Sequence, residues 1–250
     1  AQAMFEVAGN LDASLEGDGK AIFCIVPALA AIEQAVVNIE ASFTALPERS
    51  PSAASTVVTL TLVGDTGFNG DRQPVNKDGA LRHGQLHPWQ DIFSRIRADI
   101  GGDLAFANLE SVVTLNNALR SEDKTFAFRS HPEGVRELAA LGFNLLSTAN
   151  NHTMDYGAAG ALDTLAALDA IQAEGLIKAH AGLGRNREEA GRPQAVSVKG
   201  SRVLLSALGI VSGGLGHHRA SATRPGQLAY QSAEDFEEAI RRLSEAEGDY

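Results

Sequence analysis

Three short apolar runs, each closing on a polar cluster, constrain this chain more than any other feature. Val57-Val-Thr-Leu-Thr-Leu-Val63 is almost entirely β-branched or apolar and leads into Gly64-Asp65. A run with so little polar alternation predicts a strand covered on both faces. Leu104-Ala-Phe-Ala107 is a second, ending in Asn108-Leu109-Glu110, and Phe143-Asn-Leu-Leu-Ser-Thr-Ala149 is a third, ending in Asn150-Asn151-His152 with Asp155 close behind. Neighbouring parallel strands lie about 4.8 Å apart, so three such ends can converge on one centre. The carboxyl edge of a parallel sheet, where strand gives way to helix, is where open α/β folds bind ligands, and Tyr156 to Glu174 reads as the helix that follows. A structural alternative exists for the third tip, in which the asparagines shape a turn and His152 caps it.

The rest of the chain alternates in the same way. Pro88 opens a helix with Trp89, Ile92, Phe93 and Ile96 on one face, a core-packing spacing. Pro132 opens another, closed by Gly142 as a C-cap. Ala195–Lys199 and Val203–Ile210 read as a hairpin around Gly200-Ser201. Ser232 to Gly248 reads as a helix with a Ser232/Asp235 capping box and Phe236, Ile240 and Leu243 on its apolar face. Strands alternating with helices imply an α/β fold, a parallel sheet with helical cover. With 44% hydrophobic residues in 250, there is enough apolar material for the core of one such domain.

Residues 1–56 stand apart. Ala21 to Ile32 is apolar but too short to span a bilayer. It reads as the core of a secretion signal, with Ala28-Leu29-Ala30 as the cleavage site, or as a helix in which Leu29, Ile32, Val36, Ile39 and Phe43 recur at helical spacing. Asp12, Glu16 and Asp18 precede the run where a signal needs positive charge, so the helix reading is preferred, with Leu46 to Thr56 as a linker. The net charge of −10, without any basic run, argues against nucleic acid as a partner. Such a surface also repels a polyglutamate chain except where a metal ion or an arginine offsets it. Cys24 is the only cysteine, which excludes an internal disulfide and a cysteine-based zinc site.

The segments GDTG, ANLE, FRSHPEGVRELAALGFNLLSTANNHTMDYG and HAGLGRNREEA together resemble the bacterial capsule-synthesis CapA family, associated with poly-γ-glutamate capsules and related to calcineurin-like metallophosphoesterases. The resemblance runs from about Val57 to Tyr250. It implies a metallophosphoesterase-like sandwich of sheets covered by helices over residues 57–250. It also implies a divalent metal (Mn, Mg, Fe or Zn) held by Asp65, Asn108, Glu110 and Asn151. His152 matches the proton-donating histidine of the phosphoesterases, with Asp155 as its orienting carboxylate. The implied function is metal-dependent hydrolysis, of a phosphoester or a γ-glutamyl amide, in the cell envelope. The implied partners are an envelope polymer or small-molecule substrate and a membrane-bound synthase. The alternative is a non-catalytic accessory or scaffold subunit of such a synthase.

This chain also departs from the pattern. Phosphoesterases carry Asp-x-His at the first tip, whereas Asp65 is followed by Thr66 and Gly67. The later His-Trp-Gly and Gly-His-x-Pro-His motifs are absent from the sequence. Asp249-Tyr250 reads as the first step of a further strand, so the fold is expected to be truncated at its C-terminus. His217-His218, in a glycine-rich stretch, reads as a solvated loop, because adjacent side chains diverge. His83 and His87 lie in a long polar segment, Thr66 to His87, and read as a loop too. His131 reads as structural, and His180 is assigned no chemistry. If a natural chain continues past Tyr250, the isolated 250-residue chain exposes an apolar sheet edge and self-associates; a sharp monomer boundary in sedimentation velocity would sink that expectation.

Overall fold

The computed structural model describes residues 57–67, 75, 80–82, 85–210 and 213–248. The readings of residues 1–56, of His83 and of Asp249-Tyr250 lie outside them. In chain order the elements begin with β1 (Leu60–Thr66), β2 (Ala80–Arg82), β3 (Gln85–His87), α1 (Trp89–Phe93), β4 (Leu104–Leu109), β5 (Val112–Val113) and β6 (Arg129–Ser130). There follow α2 (Pro132–Leu141), β7 (Leu145–Ser147), α3 (Gly157–Ala173), β8 (Ala179–Ala181), β9 (Leu183–Gly184) and α4 (Arg187–Ala190). The last part holds β10 (Gln194–Val198), β11 (Ser201–Leu205), β12 (Gly209–Ile210), a 3-10 turn at Gly213–His218, β13 (Gly226–Gln227), β14 (Ala229–Tyr230) and α5 (Ala233–Glu245).

The centre is a four-stranded sheet of order β1-β4-β7-β8, parallel throughout. Side chains alternate across a strand, and β4 shows what that does here. Ala105, Ala107 and Leu109 join a core with Trp89 and Phe93 of α1, Leu138 of α2 and Leu168 of α3. Leu104 and Phe106 join the opposite one, with Val196 and Leu205 of the β10–β11 hairpin. Leu145 and Leu146 of β7 divide in the same way. Helices thus cover one face and the hairpin the other, so the strands need no polar side. This is the expected α/β architecture, a parallel sheet with helices, and it is consistent with a metallophosphoesterase-like fold.

Several local readings are corrected. β1 is the edge of this sheet rather than a strand covered on both faces, and Leu60 is 39% exposed. It also starts later and runs further than Val57–Val63, so Asp65 lies within the strand, beyond a register shift between Leu62 and Asp65. The α1 helix stops at Phe93, which leaves Ile96 outside it and 41% exposed. The Thr66 to His87 segment contains the antiparallel pair β2–β3. The second hairpin strand ends at Leu205; the chain then leaves the hairpin, and Gly209 pairs in parallel with Ala229 of β14. In α5 the Ser232 side chain makes no capping bond, because Asp235 is drawn to the backbone N–H of Gln231 (3.1 Å) and to Arg219.

Other signals are seen in the geometry. His131 accepts from the backbone N–H of Glu133 at 3.0 Å and caps α2, with Pro132 in its first turn and Gly142 at φ 122° behind it. The hairpin turns at Lys199 (φ 47°) and Gly200 (φ 83°). Two successive residues at positive φ are what a two-residue turn needs to match strand twist, and Gly200 takes the second without a Cβ penalty. The same turn closes an electrostatic clasp. Asp103, just before β4, accepts from the N–H and the hydroxyl of Thr59, both at 2.7 Å, and its carboxylate lies 2.8 Å from Lys199 Nζ. The Lys199 ammonium, then the Thr59 amide and hydroxyl, hold the Asp103 carboxyl down at about 2.

Two outcomes follow for stability. Leu146 is fully buried on a central strand, so Leu146→Ala is expected to lower the unfolding free energy by about 2–5 kcal/mol in urea titrations. Asp103 has a depressed folded pKa, so its contribution is present above its unfolded pKa and is lost as pH falls through about 2. Asp103→Asn is therefore expected to melt below wild type at neutral pH, and the gap is expected to narrow as pH falls from 4 toward 2.

Candidate functional site

The register of the parallel sheet sets one row across its carboxyl edge: Asp65 opposite Asn108, Asn108 opposite Ser147, and Ser147 opposite Ala181. A hydrogen-bonded chain runs along that edge. Asn108 Nδ2 donates to Asp65 Oδ1 at 2.7 Å. Asn150 Nδ2 donates to Asn108 Oδ1 at 3.1 Å and to the Leu109 carbonyl at 2.9 Å. Asn150 Oδ1 in turn accepts the His152 backbone N–H at 3.0 Å and the Thr153 hydroxyl at 3.1 Å.

The loop after β7 is held by its own threonines. Thr148 donates its backbone N–H and its hydroxyl to the Ala181 carbonyl, at 2.9 and 2.8 Å. Thr153 donates to the Thr148 carbonyl at 2.6 Å. Gly182 packs directly against this loop: a Cβ there would lie 2.6 Å from the Ala149 Cβ, and its φ of +105° suits glycine alone. The glycine in the Ala181-Gly182-Leu183 stretch thus lets the backbone beside β8 press on the tip that carries Asn150 and His152.

His152 is buried and oriented from three sides. Its Nδ1 lies 2.7 Å from Asp155 Oδ2, its ring stacks on Phe128 with centroids 3.9 Å apart, and its Nε2 faces Glu110 Oε1 at 3.7 Å. Asp155 is fully buried and fully engaged. Besides His152, it accepts from the Phe128 backbone N–H at 2.5 Å and from Lys124 Nζ at 2.5 Å. Glu110 fares differently. Burial first, and then the neighbouring Asp65 charge, push its carboxyl up to about 7, against the opposing pull of His152. Two carboxyl groups therefore stand side by side with too little positive charge between them. Carboxylate oxygens are donors of the kind that hard divalent cations take, while Asn108 turns its nitrogen to Asp65 and its oxygen to Asn150.

The structure brings Asp65, Asn108, Glu110, His152 and Asp155 together. Asn151 is exposed; its carbonyl accepts from Lys124 Nζ at 2.9 Å, while its neighbour Asn150 makes the contacts to Asn108 and Leu109. Lys124 and Phe128 were not legible beforehand, because nothing in their local pattern marks them as partners of Asp155 and His152. The His217-His218 reading is corrected. The pair ends the 3-10 turn, His218 is 0% exposed, and the Nε2 atoms of His217 and His218 lie 3.1 and 2.6 Å from the two carboxylate oxygens of Glu122. One donor atom from each of these three residues lies within 4.8 Å of the others. His180 sits elsewhere, 3.1 Å from Asp169 Oδ1, beside a cavity of about 430 Å³ that none of the strand-tip residues lines. Burial lowers its pKa, against the pull of Asp169.

Residues 59–250 match the family described as bacterial capsule synthesis protein PGA_cap. The chain is 26% identical over 175 residues to the capsule biosynthesis protein CapA of Bacillus anthracis, covering 69% of this chain and 39% of that protein. It is 38% identical over 63 residues to the PGA biosynthesis protein CapA of Bacillus subtilis, covering 25% and 17%. It is 33% identical over 81 residues to a probable polyglutamine synthesis accessory protein of Mycobacterium tuberculosis, covering 32% and 21%. The chain spans about a quarter of the length of the first curated relatives it matches.

The two adjacent asparagines are expected to separate in mutagenesis. Asn150→Ala strands the buried Leu109 carbonyl and His152 N–H and is expected to lower the unfolding free energy by about 2–4 kcal/mol. Asn151→Ala, at an exposed position, is expected to stay within about 0.5 kcal/mol of wild type in metal-free buffer. Urea titrations of both variants check this.

Proposed function

The chain belongs to the bacterial capsule synthesis family, and on that footing we propose that it serves poly-γ-glutamate-type capsule biosynthesis as a metal-dependent hydrolase of the cell envelope. One observation carries the catalytic part. The side chains of Asp65, Asn108 and Glu110 gather at one sheet edge, and His152 Nε2 faces that same place, 3.7 Å from Glu110. Asp65, Asn108 and Glu110, with Asn151 completing the set from the adjoining loop, are the residues that would hold one or two divalent ions. When bound, such an ion supplies Lewis acidity at the substrate oxygens.

The chain's own residues supply the rest. His152 donates a proton to the leaving oxygen or nitrogen from Nε2. Asp155 fixes the opposite nitrogen, so the ring cannot turn its Nε2 away. Lys124 and the Phe128 amide donate to Asp155 as well and keep that carboxylate from swinging. The Phe128 ring covers one face of His152 and limits the water that reaches it. The bond cleaved is a phosphoester or a γ-glutamyl amide. Among the described residues no helix is long and apolar enough to cross a membrane; the envelope assignment rests on the capsule-related names of the relatives, and a membrane-bound synthase is the proposed partner.

A second reading has its own support. Gly67 stands where phosphoesterases carry the histidine of the first tip and offers no side chain to a metal. A relative is named as an accessory protein. In this reading the site is a binding pocket on a synthase subunit.

Metal content by mass spectrometry after dialysis, on wild type and on Asp65→Ala/Asn151→Ala, is the first test, with near-stoichiometric metal expected in wild type and its loss in the double variant. Turnover of bis(p-nitrophenyl) phosphate and of γ-glutamyl p-nitroanilide comes next. His152→Ala is expected to lower turnover about 10²–10⁴-fold with metal retained. Stoichiometric metal without turnover of either probe would favour the accessory reading, and a wild type empty of metal would overturn the hydrolase.

A further inference from the structure

We propose a second cation site of different chemistry, formed by Glu122, His217 and His218, for a zinc-class ion that clips the 119–128 loop to the Gly213–His218 turn. The donors are already convergent. The His217 and His218 Nε2 atoms lie 3.1 and 2.6 Å from Glu122 Oε1 and Oε2. One donor atom from each residue lies within 4.8 Å of the other two. Tetrahedral zinc with bonds of about 2.0–2.2 Å needs donor atoms about 3.3 Å apart. The two imidazole–carboxylate distances, to different oxygens of Glu122, bracket a site that shifts of about an ångström bring to that spacing.

The burial pattern suits capture from solvent. His218 is 0% exposed, and its carbonyl packs so closely on Gly226 that a Cβ there would lie 2.6 Å away. It is a fixed half-site. His217 is 54% exposed and stands at the open side, where an ion can enter and water can complete the coordination. The rings meet edge-on with centroids 4.4 Å apart, so the adjacent side chains converge on one carboxylate.

Proton placement permits the exchange. His218 Nε2 lies 2.6 Å from a carboxylate oxygen, and His218 Nδ1 is buried without a hydrogen-bond partner. When an ion takes the Nε2 lone pair, the ring proton relocates to Nδ1. That nitrogen is unpartnered in either tautomer, so the swap forfeits no existing hydrogen bond there. Two imidazoles and one carboxylate select zinc, cobalt or iron(II) over magnesium or calcium, in contrast to the oxygen donors around Asp65.

The consequence reaches His152 through the backbone. Glu122 donates its N–H to the Asp155 carbonyl at 2.8 Å. Lys124 and the Phe128 amide, on the same loop, hold the Asp155 side chain, and the Phe128 ring stacks on His152. An ion on Glu122 therefore stiffens the support of His152. That consequence rests on the hydrolase reading above; the binding itself does not.

The test uses cobalt(II) as the spectroscopic probe and zinc(II) as the stabilising one. Both are added to the dialysed full chain carrying Asp65→Ala/Asn151→Ala, which removes two of the four strand-tip donors. One equivalent of cobalt with the intense visible bands of tetrahedral coordination is expected, together with a melting temperature that rises with zinc. Adding His217→Ala, at an exposed position that leaves the metal-free melt nearly unchanged, is expected to weaken cobalt binding at least tenfold and abolish both effects. Glu122→Gln is expected to weaken binding in the same direction. Unchanged cobalt affinity and spectrum in the His217→Ala background, or no tetrahedral cobalt in the parent, would overturn the proposal. Metal lost only through Asp65→Ala/Asn151→Ala would sustain the hydrolase site while refuting this one.

Discussion

Everything at the candidate site depends on the register with which β4 pairs with its two neighbours. That register puts Asp65, Asn108 and Ser147 in one row and so lets a single asparagine bridge from one strand tip to the next. A slip of one residue would exchange the faces of the strand. Ala105 and Ala107 would then meet the hairpin, while Leu104 and Phe106 would meet the helices. Small residues under the helices and large ones under the hairpin make that exchange a packing error on both sides, so the core that stabilises the sheet also aligns the polar tips.

Charge compensation is uneven across this edge, and the unevenness is informative. Asp155 is the more deeply buried carboxylate, yet it has a lysine, an imidazole and a backbone amide around it. Glu110 is only partly buried but has Asp65 beside it, and its carboxyl is pushed up to about 7. The protein thus neutralises the carboxylate that positions His152 with its own groups. At the Asp65–Glu110 pair it leaves negative charge concentrated, where an added cation would lower the electrostatic cost. The 119–128 loop supplies most of the compensation at Asp155, and its other end is anchored by the two histidines on Glu122.

Some of this was legible from local sequence. The runs around Leu104 and Leu145 lack polar alternation because helices cover one face and a hairpin the other. The apolar run before Asp65 misled, since β1 has the same composition and lies at the sheet edge. Pro132 and Gly142 bound their helix through backbone geometry that those residue types dictate. The Ser232/Asp235 pair had the spacing of a capping box, but Arg219 and the Gln231 amide claimed the aspartate. His217-His218 looked solvent-facing because its stretch is rich in glycine, and only the placement of Glu122 brought both rings onto one carboxylate.

The sequence by itself determined that strands lie before Asp65, Asn108 and Asn150 and which polar groups stand at that edge, because strand composition is a short-range property of neighbouring residues. The tertiary structure alone decided that Asn150 rather than Asn151 bridges to Asn108, that Lys124 and Phe128 hold Asp155 and His152, and that Glu122 meets His217 and His218. Those are contacts between segments far apart in the chain. They depend on how the packed loops cross at the sheet edge, and a side chain waiting for such a partner leaves no periodic trace among its own neighbours.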